Sequence, residues 1–136
     1  MTTIFTSGTY DIVHPGHIDF LKKCNEVGEV VVGLNSDDYV KRKKGKLPVM
    51  CYEEREAVLS GLRWVVKVVP NEDEHIEKRV LSNRANIIAI GSEWVDDDFF
   101  RLRCVSPEWL KDHGVMLLLI STNPELHSSS IKKRIL

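Results

Sequence analysis

The sequence has little of several things that would complicate its reading. It holds three cysteines, Cys24, Cys51 and Cys104, an odd number at wide spacing. That spacing excludes a disulfide framework and a Cys-x-x-Cys metal pair, and it points to a reduced cytoplasm. No long hydrophobic run is present: the longest, Val115 to Ile120, is far too short to span a bilayer. Met1-Thr2-Thr3-Ile4-Phe5 has no basic region and no long apolar stretch, so no secretory signal is expected. Neither sign of charge is in excess, with 19 Lys and Arg against 20 Asp and Glu. That balance argues against a nucleic-acid partner and against an acidic tail. The sequence shows no repeat, low-complexity tract or linker. What remains is ordinary, 43% hydrophobic and 29% charged residues in a chain of 136, and reads as one domain over residues 1–136.

The pattern alternates strand and helix. Thr3 to Thr6 is a short β-prone run that stops at Ser7-Gly8. Pro15 to Val27 has helical apolar spacing at Ile18, Leu21 and Cys24. Val30 to Leu34 is nearly all apolar, which suits a parallel strand covered on both faces. Asn35-Ser36-Asp37-Asp38 is a helix-start cluster, and Lys41 to Lys46 reads as a mobile basic loop. Tyr52 to Leu62 predicts a helix, and Trp64 to Val69 a strand closed by Pro70. Glu74 to Ser82 predicts a helix, Ile87 to Ile90 a strand, Pro107 to His113 a helix, and Val115 to Ile120 the fifth strand. Ser128 to Leu136 predicts a closing helix. Five strands alternating with helices imply a doubly wound, Rossmann-like α/β fold, a parallel sheet with helices on both faces. Ligands in such sheets sit at the carboxyl ends of the strands.

The most informative segment is Ser7 to His17, between the first strand and first helix. Gly8 lets a ligand or the chain itself come close to the strand end. Pro15 suits the first helical position, His14 falls near the N-cap, and His17 lies in the first turn. Gly16 leaves the helix start open, so backbone N–H groups can meet an anion. Two imidazoles and a helix N-terminus then converge where charge grows on a phosphoryl group. Each histidine alone reads equally well as a surface or capping residue. Metal ligation is not expected, because zinc usually takes three or four protein ligands and His75, His113 and His127 form no evident set with these two.

Gly-Thr-Tyr-Asp-x-x-His-x-Gly-His, from Gly8 to His17, closely resembles the signature of the cytidylyltransferase-type nucleotidyltransferases of the HIGH-motif superfamily. Tyr52-Glu53-Glu54-Arg55 with Leu62-Arg63-Trp64-Val65, and Ser128-Ser129-Ser130-Ile131-Lys132, resemble further elements of that family. The spacing is most similar to the short bacterial glycerol-3-phosphate cytidylyltransferases. The resemblance implies a homodimeric enzyme that transfers CMP from CTP to a small phosphorylated alcohol, with Mg²⁺ carried by the triphosphate. An adenylyltransferase using ATP with a sugar phosphate, FMN or phosphopantetheine shares the framework. A non-catalytic nucleotide-binding protein is the third reading.

Carried onto this chain, the resemblance makes His14, His17 and Lys44 catalytic. It makes Gly8, Thr9, Tyr10, Asp11, Gly16, Ser92, His127, Ser128 and Ser129 nucleotide contacts. Lys46, Arg63 and Lys78 would hold the acceptor. Lys44 and Lys46 otherwise read as a solvated surface, Arg63 as an ion-pair partner, and the serines as a plain N-cap. The chain departs from the family where Ser92 and Glu93 replace two aspartates, where Thr122 replaces an arginine, and where His127 replaces a serine. Trp94 fits ligand stacking and packing equally. Because an acceptor phosphate is already an anion, no general base and no Ser-His-Asp triad is expected.

Overall fold

The computed structural model describes residues 2–92, 99–100 and 103–121. The elements are β1 (Thr3–Gly8), α1 (Pro15–Val27), β2 (Glu29–Asn35), α2 (Asp37–Lys44), α3 (Tyr52–Ser60), β3 (Val65–Asn71), α4 (Glu77–Ser82), β4 (Ile87–Gly91), α5 (Pro107–His113) and β5 (Met116–Ile120). The strands form one sheet in the order β3-β2-β1-β4-β5, and every pairing is parallel. The strand order reverses between β1 and β4, and the turns leaving their carboxyl ends flank that switch point.

Both faces of the sheet are covered, so successive strand residues enter opposite cores. Ile4, Val30, Val32 and Leu34 join one cluster with Leu21 and Cys24 of α1 and Leu59 of α3. Phe5, Val31 and Ile88 join the other, with Val80 of α4 and, more shallowly, Trp109 and Leu110 of α5. This two-sided burial is why the strands read as apolar runs rather than as alternating patterns. Burial pushes the Cys24 thiol up to about 12, so it behaves as a small core hydrophobe.

Four expectations change. Lys41 to Lys44 are not in a loop but form the last turn of α2. Ser36 caps that helix by accepting from the Tyr39 N–H, and Asp37 and Asp38 occupy its first turn. Four cations then meet the negative end of the dipole, and Gly45 closes the helix in the left-handed conformation at φ 79°. The strand β3 begins after Trp64 and continues through Pro70 to Asn71, pairing Pro70 with Leu34. It is an edge strand, where a missing N–H is tolerated. The helix α4 starts at Glu77, because the Asp73 carboxylate accepts the His75 N–H and holds a turn before it. Within α1, only Leu21 and Cys24 are fully buried, while Ile18 lines a cleft. The expected closing helix, Ser128 to Leu136, lies outside the described residues.

Candidate active site

The turn between β1 and α1 is built around its own side chains. His14 is the N-cap of α1, and its Nδ1 accepts the Gly16 N–H at 3.0 Å. The His17 Nδ1 accepts the His14 N–H at 3.2 Å, which completes a capping box. The two rings lie 4.0 Å apart between centroids. One consequence corrects the expectation of an open helix start: the Gly16 and His14 amides are engaged by the imidazoles. In each neutral ring Nδ1 is an acceptor, which fixes the proton on Nε2. The imidazoles thereby move donor capacity from the helix start to their Nε2 atoms, of which that of His14 is buried.

Tyr10 sits at φ 50°, in the left-handed region, with its ring buried and 5.1 Å from that of His17. Burial raises its hydroxyl well above the ordinary phenol value. A Cβ on Gly8 would meet Tyr10 Cε2 at 2.9 Å, so Tyr10 itself makes the close approach that requires glycine at position 8. A cleft of about 520 Å³ opens beside His14, with Val13, Ile18, Asp19 and Lys22 in its walls.

Three further side chains fasten this turn to its neighbours. The Asp11 carboxylate accepts the N–H groups of Val49 and Met50, both at 2.9 Å. Those bonds dock the segment that follows Lys44 and Lys46 against the turn. Arg55 of α3, completely buried, donates to the carbonyls of Met50, Thr9 and Asn35 at 3.0, 2.8 and 2.8 Å. Its remaining arm pairs with Asp37 at 2.7 Å. The amide of Asn71 donates to Asn35 Oδ1 at 2.7 Å, and that of Asn35 to Thr9 Oγ1 at 3.0 Å. A side-chain relay thus crosses the carboxyl ends of β3 and β2 to the turn after β1.

The structure therefore gathers Gly8, Thr9, Tyr10, Asp11, His14, Gly16 and His17 in one place. It puts Lys44 and Lys46 on the exposed stretch tethered beside them. Ser92 is exposed just past β4, and Lys78 is exposed on α4. Arg63 is not brought to the turn. It precedes the amino end of β3, where Val65 pairs with Val30, and its guanidinium rests 5.0 Å from the Trp64 ring. The carboxyl end of β3 is about 20 Å away at 3.3 Å per residue. His127, Ser128 and Ser129 lie outside the described residues, as do Glu93, Trp94 and Thr122. Sequence reasoning missed Arg55, Asn35 and Asn71 as organisers of the site. The only signal for Arg55 was its place in the Tyr-Glu-Glu-Arg stretch.

A parallel sheet with paired imidazoles capping the helix at its switch point defines a nucleotide-handling α/β domain. The family model described as cytidylyltransferase-like matches residues 5–134, and the chain belongs to that family of nucleotidyltransferases. It is 38% identical over 93 residues to the bifunctional protein HldE of Wolinella succinogenes, covering 67% of this chain and 20% of that protein. It is 30% identical over 135 residues to the HldE protein of Pelobacter propionicus, covering 98% of this chain and 27% of that one. The chain thus spans about a quarter of the length of these curated relatives, or less. A crystal structure of the lipopolysaccharide core biosynthesis protein from Thermoplasma volcanium superposes with a TM-score of 0.75 at 27% identity. That match covers 90% of this chain and 98% of that one. No helix among the described residues is long and apolar enough to cross a membrane.

Proposed function

We propose that this chain transfers a nucleotidyl group from a nucleoside triphosphate to a small phosphorylated acceptor. The reading is carried by the capped pair His14 and His17, whose Nε2 protons are aligned by backbone bonds before any ligand arrives. An acceptor phosphate oxygen attacks the α-phosphorus in line, the bond to the bridging oxygen breaks, and pyrophosphate leaves. The attacking oxygen is already anionic, so no proton needs to be removed. Catalysis then rests on position and on donors fixed where charge develops. His14 and His17 donate to the α- and β-phosphates, and Lys44 stabilises the α-phosphoryl oxygens. Lys46 and Lys78 hold the acceptor, and the Ser128-Ser129 element holds the outer phosphates. Asp11, the carboxylate of the turn, has its oxygens turned to Val49 and Met50. Mg²⁺, when bound, would then be held mainly by the phosphates and would supply charge shielding for the leaving group.

Resemblance to the short bacterial glycerol-3-phosphate cytidylyltransferases favours CTP with a glycerol-3-phosphate-like alcohol. Likeness to a lipopolysaccharide core biosynthesis protein of Thermoplasma volcanium keeps a saccharide-type acceptor open, and the second reading is therefore adenylyl transfer from ATP to a sugar phosphate. Pyrophosphate release, measured for each of the four nucleoside triphosphates against a panel of phosphorylated alcohols and sugars, separates them. One donor–acceptor pair should release pyrophosphate and form a nucleoside diphosphate linkage. Orthophosphate release without pyrophosphate, or nucleotide binding with no turnover on any pair, overturns the proposal.

A further inference from the structure

The segment just past β3 carries a second constellation, His75, Glu77 and Cys104, to which the proposed nucleotidyl transfer assigns no role. The Nδ1 of His75 lies 3.0 Å from the Sγ of Cys104, 29 residues away in sequence. A carboxylate oxygen of Glu77 joins them, and the three ligand atoms lie within 4.8 Å of one another. We propose that His75, Glu77 and Cys104 form a zinc site with three protein ligands and one open position.

The donor set is the first argument. An imidazole nitrogen, a thiolate and a carboxylate are the three ligand types zinc accepts, and three protein ligands leave one place for water or an anionic group. Zinc at about 2.0 Å from nitrogen and 2.3 Å from sulfur spans an N···S edge of about 3.5 Å in a tetrahedron. A small side-chain rotation opens the observed pair to that distance.

The second argument is that the site is braced. The Asp73 carboxylate accepts the His75 N–H at 3.0 Å, while Arg79 donates to that carboxylate at 3.1 Å and to the His75 carbonyl at 2.7 Å. The Ile76 N–H donates to the Arg103 carbonyl at 3.3 Å, which ties the two chain segments together. Cys104 is held at φ 57°, a conformation an L-residue adopts only when its surroundings enforce it.

The third argument is an unmet demand. Glu77 Oε2 is buried with no hydrogen-bond partner among the described residues. A desolvated carboxylate oxygen is costly unless a cation or donor meets it. Of the cations near the cluster, Arg79 is already committed to Asp73 and the His75 carbonyl, while Lys78 lines the same cavity of about 340 Å³. That cavity gives the open position room for a water. Ile76 and Val105, adjacent to the ligands, belong to the core on the sheet face opposite α1. The zinc site uses none of the side chains of the histidine turn, although the acceptor candidate Lys78 lines its cavity, and it clamps the chain after β3 to the chain before α5. On binding, Cys104 releases its thiol proton to solvent.

The test uses metal-free, reduced protein titrated with Co²⁺ and then Zn²⁺. One equivalent of Co²⁺ should bring up a thiolate-to-cobalt charge-transfer band, and Zn²⁺ should bleach it. The band should vanish in Cys104→Ser. Affinity should fall in His75→Ala and Glu77→Gln by more than the roughly 10–100-fold that losing an outer-shell partner costs. It should not change in His17→Ala, which separates this site from the proposed nucleotide site. Should Cys104→Ser not fold, alkylation of the wild-type protein decides: Zn²⁺ should protect Cys104 and leave the exposed Cys51 reactive. No charge-transfer band in the wild type, a band that survives Cys104→Ser, or equal alkylation of both thiols with Zn²⁺ overturns the proposal.

Discussion

The turn after β1 and the basic stretch that follows it in space are neighbours, yet they are held differently. The turn is buried or half-buried apart from Pro15, and its backbone is fixed by imidazole caps, the Arg55 guanidinium and the Asn71–Asn35–Thr9 relay. Residues Lys41 to Leu47 are exposed throughout. They are anchored at their ends, by Asp37 to Arg55 before them and by Val49 and Met50 to Asp11 after them. Under the proposed function, the contrast would separate two tasks of a phosphoryl-transfer site. Donors to the reacting phosphorus need position, which the turn would supply. Charge that gathers anions needs reach and solvent, which the lysines would supply.

The largest expected effect breaks the rigid half. Arg55→Ala leaves three carbonyls and Asp37 without their donor, and should cost about 3–5 kcal/mol of stability in urea unfolding. A loss below about 1 kcal/mol would show that the turn stands without its brace. Next comes His17→Ala, expected to lower turnover by a factor of roughly 10²–10³ while the fold survives. Near-normal turnover there would remove the turn from the chemistry. In the exposed half, Lys44→Ala should cut turnover roughly tenfold, more than it weakens nucleotide binding, because its contact counts most as charge develops. Lys46→Ala should chiefly raise the acceptor KM. If neither variant changes kinetics, the stretch is only a solvated surface. The smallest effect tests the seam between the halves. Asp11→Asn weakens two charge-assisted bonds, so amide hydrogen exchange should quicken at Val49 and Met50 while exchange in the β1 amides stays slow.

The same contrast explains what could be read from the residues. The strands were legible because two-sided burial leaves continuous apolar runs, as in Val30 to Leu34. The start of α1 was legible because proline and histidine have local meaning there. The basic stretch was misread as a loop because five cations in six residues repel one another in isolation. Four of the five lie in the helix, where they are offset by the dipole, by the Asp38–Arg42 pair at 3.0 Å, and by Arg42 reaching the Glu72 carbonyl at 2.7 Å. Pro70 suggested a strand end because its edge position was invisible. The bracing role of Arg55 was illegible for a different reason. Its acceptors at Thr9 and Asn35 lie 46 and 20 residues away, and they are main-chain atoms that no side-chain pattern marks.

That last point bears on how the site can change over generations. Of the four groups that Arg55 meets, three are main-chain carbonyls, which every amino acid possesses. Drift at Thr9, Asn35 or Met50 leaves those bonds chemically available whatever side chain arrives. Only Asp37 is bound to Arg55 through a replaceable group. Within this brace, only the Arg55–Asp37 pair depends on two particular side chains. The Asn71–Asn35–Thr9 relay and the Asp11 carboxylate, by contrast, hold the turn through side chains and lose their bonds when those change.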